Sequence, residues 1–235
     1  MNASEFAALA AEGYNRVPVV REVLADLDTP LSTYLKLADA PYSYLLESVH
    51  GGEKWGRYSI IGFKPDVIWR CRKGQAEINR QARSDLHAFE NLDGRPLETL
   101  RALIAECQME LPQGLPPMAS GLFGFLGYDM VRDMENLPDR KPDPIDLPDA
   151  IMVRPTMICV FDRLEDNVTL VTPAWPQPAT SARAAYEAAQ ERLGDAVSDF
   201  ERTLPSRRDD SEAIDALPPP QANMAKDDFK KMVET

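Results

Sequence analysis

Residues 42–66 read YSYLLESVHGGEKWGRYSIIGFKPD, and this stretch limits the fold more than any other. Two runs rich in aromatic and β-branched residues, 42–49 and 57–63, flank His50-Gly51-Gly52-Glu53-Lys54-Trp55-Gly56. Glycine reaches positive φ without a Cβ penalty, so the pattern predicts two antiparallel strands joined by a turn. Glu47 and Ser48 place a carboxylate and a hydroxyl inside the first apolar run. A carboxylate among apolar residues is costly unless paired, and Arg57 and Ser59 on the facing strand are the partners within reach. Alternation puts Leu46 and Ser48 on one face and Glu47 on the other. Two readings fit: a strand with one solvent-facing Glu and a Ser bonded to backbone, or the edge of a site for a small zwitterion.

The remaining pattern repeats this logic. Strand-like runs are expected at 17–24, 67–71, 76–80, 151–161 and 167–172, and Pro18 puts the first of them at a sheet edge or start. Arg72-Lys73-Gly74-Gln75 is a hairpin turn. Residues 118–132 read as one long strand carrying Gly121, Gly124 and Gly127. That spacing is not the GxGxxG of a dinucleotide site, and glycine within a strand points to a bend, a bulge or close backbone approach. Helices are expected at 4–12, from Pro30 after a Thr29 cap, from Pro96 to before Pro112, and at 180–203. The expected fold class is α+β: antiparallel β-sheets built from hairpins, with a few packed helices. Pro205, Arg207-Arg208-Asp209-Asp210 and Pro218-Pro219-Pro220 mark residues 205–222 as a linker. A new amphipathic helix begins after it.

A net charge of −12 disfavours nucleic acid or an anionic membrane as the main partner. Cys71, Cys107 and Cys159 form no CxxC pair and read as small buried hydrophobes, reduced in a cytoplasmic protein. The first residues lack the basic and apolar regions of a signal peptide. The only histidines, His50 and His87, lie outside metal-ligating spacings. Asp139, Asp143, Asp146 and Asp149 stand in a proline-rich stretch, where solvated surface is the default. No catalytic residue is assigned.

Leu45-Leu46-Glu47-Ser48 followed by Gly56-Arg57-Tyr58-Ser59-Ile60-Ile61-Gly62 resembles anthranilate synthase component I. Residues 121–129 (GLFGFLGYD), and Asp146-Leu147-Pro148-Asp149 leading into residues 157–162 (MICVFD), add two matches in the same order. The resemblance implies that residues 1–204 form the regulatory N-terminal region and 205–222 a linker. It implies that 223–235 begin a truncated chorismate-binding catalytic domain, so the chain by itself would be inactive. The implied enzyme converts chorismate and ammonia to anthranilate and pyruvate. Its ammonia comes from a glutamine amidotransferase partner, component II, and its magnesium is bound in the missing catalytic domain. The implied allosteric ligand is tryptophan, with Glu47, Ser48, Arg57, Tyr58 and Ser59 as this chain's share of the pocket and the rest supplied by the catalytic half. Aminodeoxychorismate synthase component I of folate synthesis, and a non-catalytic amino-acid-binding module, remain as alternatives.

Overall fold

One strand is long enough to touch every cluster of the core. In a computed structural model, which describes residues 2–24, 27–48, 56–106, 115, 117–138, 143, 145–174, 180–204 and 221–234, strand β3 runs over Tyr58–Arg72. The expectation of two separate strands, 57–63 and 67–71, is corrected here. The chain bends instead of breaking: Lys64 adopts φ 52° and the register shifts between Pro65 and Val67. Such a bulge re-aims side chains without ending the ladder.

In chain order the other elements are α1 (Ala3–Ala11), β1 (Val17–Val23), α2 (Pro30–Leu37) and β2 (Tyr44–Glu47) before β3. After it come β4 (Gln75–Asn79), β5 (Glu90–Asn91), α3 (Pro96–Ala105), β6 (Phe123–Leu126), β7 (Ala150–Asp162), β8 (Asn167–Ala174) and α4 (Ala182–Phe200). Among the described residues the strands form one 8-stranded sheet, ordered β1-β8-β7-β3-β4-β5, with β2 paired to β3 and β6 to β7. All of its pairings are antiparallel. Pro18 sits in the edge strand β1, as its missing N–H requires.

Helices α1, α2 and α4 cover one face over Ile61, Phe63, Met157, Cys159 and Leu170. Beyond the bulge, Val67, Trp69 and Cys71 form a second cluster with Leu100 and Leu103 of α3. Trp69 is fully buried and its indole N–H donates to Thr99 Oγ1 at 3.0 Å, which ties α3 to β3. Burying such a side chain stabilises by roughly 2–3 kcal/mol. Within α3, Leu103 is buried and its neighbour Ile104 is exposed.

The glycine-rich run is the second correction. Only Phe123–Leu126 is strand, flanked by 3₁₀ turns at Pro117–Ala119 and Tyr128–Asp133. Within the strand, the close backbone approach that a glycine points to is found at Gly124. A Cβ on Gly124 would lie 1.9 Å from the Ile151 carbonyl oxygen. Gly62 serves a similar purpose under β2: a Cβ there would lie 2.1 Å from Tyr44 Cζ. Tyr44 therefore crosses Gly62 and stacks on Phe123 at 4.7 Å, fixing the strand that carries Glu47.

The chain divides into two units, residues 1–204 and 205–235. In the second, α5 (Lys226–Val233) has Asp227 and Asp228 in its first turn and Lys230 and Lys231 in its last, matching the helix dipole. Most of the expected linker lies outside the described residues. Among the described residues no helix is long and apolar enough to cross a membrane.

Candidate functional site

The register of β2 on β3 sets Leu46 opposite Ile60 and Glu47 opposite Ser59. The register of β3 on β7 sets Tyr58 opposite Asp162. The end of β2, the start of β3 and the turn after β7 therefore converge. A cleft of about 510 Å³, within the usual size of a small-molecule site, opens between the end of β2 and the start of β3. Glu47, Ser48, Arg57 and Tyr58 supply its polar lining, and Leu45, Leu46, Ile60 and Met118 its apolar lining. The turn expected at 50–55 lies outside the described residues.

Four of the five residues expected to bind a ligand thus share one cleft. Ser59 stands beneath it: fully buried, with its hydroxyl 3.5 Å from Glu47 Oε1. Arg57, offered by the sequence as a partner for Glu47, pairs with Asp162 instead. Its Nε and Nη2 donate to the two carboxylate oxygens at 2.7 and 2.6 Å, a bidentate fork. Its guanidinium also lies 5.0 Å from the Tyr58 ring centroid. The cation that does reach Glu47 is Arg163, whose Nη2 donates to Oε1 and to Ser59 Oγ, each at 3.1 Å.

Sequence reasoning missed Asp162, Arg163 and Met118 as neighbours of this cleft. Asp162 closes a matched segment and Arg163 opens a hairpin turn, and only the β3–β7 register brings either to Arg57 and Glu47.

Asp162, paired with Arg57, is shifted by its surroundings. Burial raises its carboxyl, but the Arg57 fork and the N–H groups of Leu164 and Glu165 outweigh it, and it ionises below the ordinary aspartate range. A depressed folded-state value means that the stabilisation is present above the unfolded aspartate value of about 4 and fades as pH falls through the folded one. The melting-temperature gap between wild type and Asp162→Asn is expected to be widest near neutral pH and to shrink below about pH 4. Thermal melts across that range check this, and a gap independent of pH would mean that the carboxylate charge contributes nothing.

Two other clefts, of about 550 and 580 Å³, offer less to a charged ligand. Lys36 is engaged by Asp28 and the Phe200 carbonyl, and Arg95 by Asp133. Of the acidic residues considered from sequence, Asp146 pairs with Lys73 and Arg72, and Asp149 accepts from the Gly74 N–H. Among the described residues no group of three or more His, Cys, Asp or Glu side chains could hold a metal ion. The described acidic residues do not fit a magnesium site.

Residues 49–235 match the chorismate binding enzyme family. The chain is 50% identical over 223 residues to anthranilate synthase component 1 of Cereibacter sphaeroides, covering 94% of this chain and 44% of that protein. It is 40% identical over 237 residues to the protein of the same name from Pseudomonas aeruginosa, covering 99% and 47%. Among solved structures, the crystal structure of anthranilate synthase component I from Streptococcus pneumoniae TIGR4 aligns with a TM-score of 0.54 and 21% identity, over 91% of this chain and 43% of that one. That last match is a likeness of fold. The chain spans less than half the length of the relatives it matches.

Proposed function

This chain belongs to the chorismate binding enzyme family, and from that membership we propose that it is the tryptophan-sensing portion of an anthranilate synthase component I. The observation that carries the reading is the cleft between the end of β2, the start of β3 and Met118. It sets an acid, a base and a hydroxyl around an apolar wall, the chemistry an apolar α-amino acid requires. Glu47 meets the ammonium, Arg57 the carboxylate, and Ser48 adds a hydrogen bond. Tyr58, Leu46, Ile60 and Met118 face the side chain. Ser59 supports Glu47 from below. Relatives named for anthranilate synthase favour this over aminodeoxychorismate synthase.

In this reading chorismate conversion belongs to the complete protein that carries this chain. Residues outside this chain supply the magnesium site and complete the tryptophan pocket. A glutamine amidotransferase subunit delivers ammonia, in the cytoplasm. Tryptophan, the end product, slows the first committed step by occupying the cleft.

Thermal melting of the complete protein, with and without L-tryptophan, tests the reading. A ligand that binds only the folded state stabilises it by about 2.7 kcal/mol at a hundredfold excess over its dissociation constant. A saturable rise in melting temperature is expected, and Glu47→Gln and Arg57→Gln should each abolish most of it. A full tryptophan shift in both variants would remove the cleft from the reading.

A further inference from the structure

We infer that the turn dipeptide Asp162-Arg163 is a two-armed positioning device, Asp162 setting Arg57 for a ligand carboxylate and Arg163 setting Glu47 for a ligand ammonium. The inference rests on the amino-acid-binding reading above and assigns residues outside the pocket expected from sequence.

The geometry is asymmetric in the same way on both arms. On Glu47, Oε1 takes both available donors, Arg163 Nη2 and the Ser59 hydroxyl. Oε2 receives none among the described residues. On Arg57, Nε and Nη2 are occupied by Asp162, and Nη1 has no partner among the described residues. Each arm is therefore held by one side and keeps a free polar atom on the other. One carboxylate oxygen is left for an ammonium and one guanidinium nitrogen for a carboxylate.

The holders are themselves held. The N–H groups of Leu164 and Glu165 donate to Asp162 Oδ1 at 3.0 and 3.4 Å. The Arg163 N–H donates to the Arg57 carbonyl at 3.0 Å, so backbone joins the turn to the start of β3 as well. Because the two holders are adjacent in sequence, one turn conformation sets both arms at once. Glu165 Oε1, 3.7 Å from Arg57 Nη2, is the other acid facing this arm.

Stability alone is a weak account of the Arg163 contact. Its side chain is 51% exposed and that of Glu47 41%, and exposed ion pairs contribute little to a fold. Orientation is the larger return: a long side chain already fixed in its binding rotamer loses less entropy when the ligand arrives. Arg163 and Asp162 touch no ligand in this account. They act through Glu47 and Arg57.

Double-mutant cycles on the complete protein test this, with L-tryptophan as the titrant in calorimetry. Arg163→Met and Asp162→Asn are each expected to weaken binding by about tenfold, and Arg163→Lys to retain most of it. Arg163→Met added to Glu47→Gln should cost nothing further, and likewise Asp162→Asn added to Arg57→Gln. The crossed pair, Arg163→Met with Arg57→Gln, should multiply the two losses. A general structural role predicts no such pairing. Single variants that bind as wild type does, or losses that multiply in all three pairs, would overturn the positioning role while leaving the tryptophan site standing. Absence of binding by wild type would overturn the site itself and the inference with it.

Discussion

Gly124→Ala is expected to destabilise the chain by about 3 kcal/mol, while Gly194→Ala should stabilise it by about 0.5–1 kcal/mol. The same substitution has opposite signs because the surroundings differ. At Gly124 the added methyl would lie 1.9 Å from the Ile151 carbonyl oxygen and 3.0 Å from Met152 Cα, both of them backbone atoms of the paired strand β7. No rotamer relieves that contact, so β6 must separate from β7. At Gly194, within α4, nothing lies within 4 Å of the added Cβ, and removing a helical glycine recovers backbone entropy. For a unit of this size 1 kcal/mol corresponds to about 2–4 °C in melting temperature, so the two variants should differ by roughly 10 °C. Thermal melts measure this directly. A Gly124→Ala protein melting with wild type would mean that β6 does not lie against β7 as described.

Local chemistry was legible in the sequence, and long-range chemistry was not. Thr29-Pro30 starts α2, with the Thr29 side chain accepting from Ser32 N, as the cap-then-proline signal indicates. Gly74 takes positive φ in a hairpin turn, as glycine allows, although Lys73 beside it takes positive φ too. The long β3 was hidden because Lys64-Pro65 reads as punctuation, whereas the bulge absorbs both residues without interrupting the sheet. The extent of the glycine-rich strand was overread for a related cause. Alternation counts residues that are able to pair, but the chain on both sides of the four paired residues turns into 3₁₀ geometry, which alternation does not mark.

The site divides along the same line. Glu47, Ser48, Arg57 and Tyr58 share a hairpin, so their proximity follows from sequence neighbours. Their charge partners do not. Arg163 stands 116 positions from Glu47, and Asp162 stands 105 from Arg57. No periodicity links residues so far apart. The β3–β7 register does, and it also explains why Arg57 turns from Glu47 to a carboxylate on its other neighbour.

Ser48→Phe in the complete protein carries the largest expected effect on function. Ser48 is exposed in the cleft, with its hydroxyl unpartnered among the described residues. The ring would fill ligand space and remove the hydroxyl. A hydrogen bond to a charged group contributes about 1.5–3 kcal/mol, a ten- to hundredfold change in affinity, before the lost volume is counted. Stability should change little, because an exposed position away from the core tolerates substitution within about 0.5 kcal/mol. Tryptophan inhibition should therefore weaken at least tenfold while uninhibited turnover persists. An unchanged inhibition curve would take Ser48 out of the site.

Calorimetric titration of the complete protein with L-tryptophan, wild type beside Ser48→Phe, decides whether the cleft is a tryptophan site. One saturable site per chain is expected in wild type, with a loss of affinity of at least about tenfold in the variant. Saturable binding of equal affinity in both proteins, or no binding in wild type, would contradict a tryptophan site in this cleft.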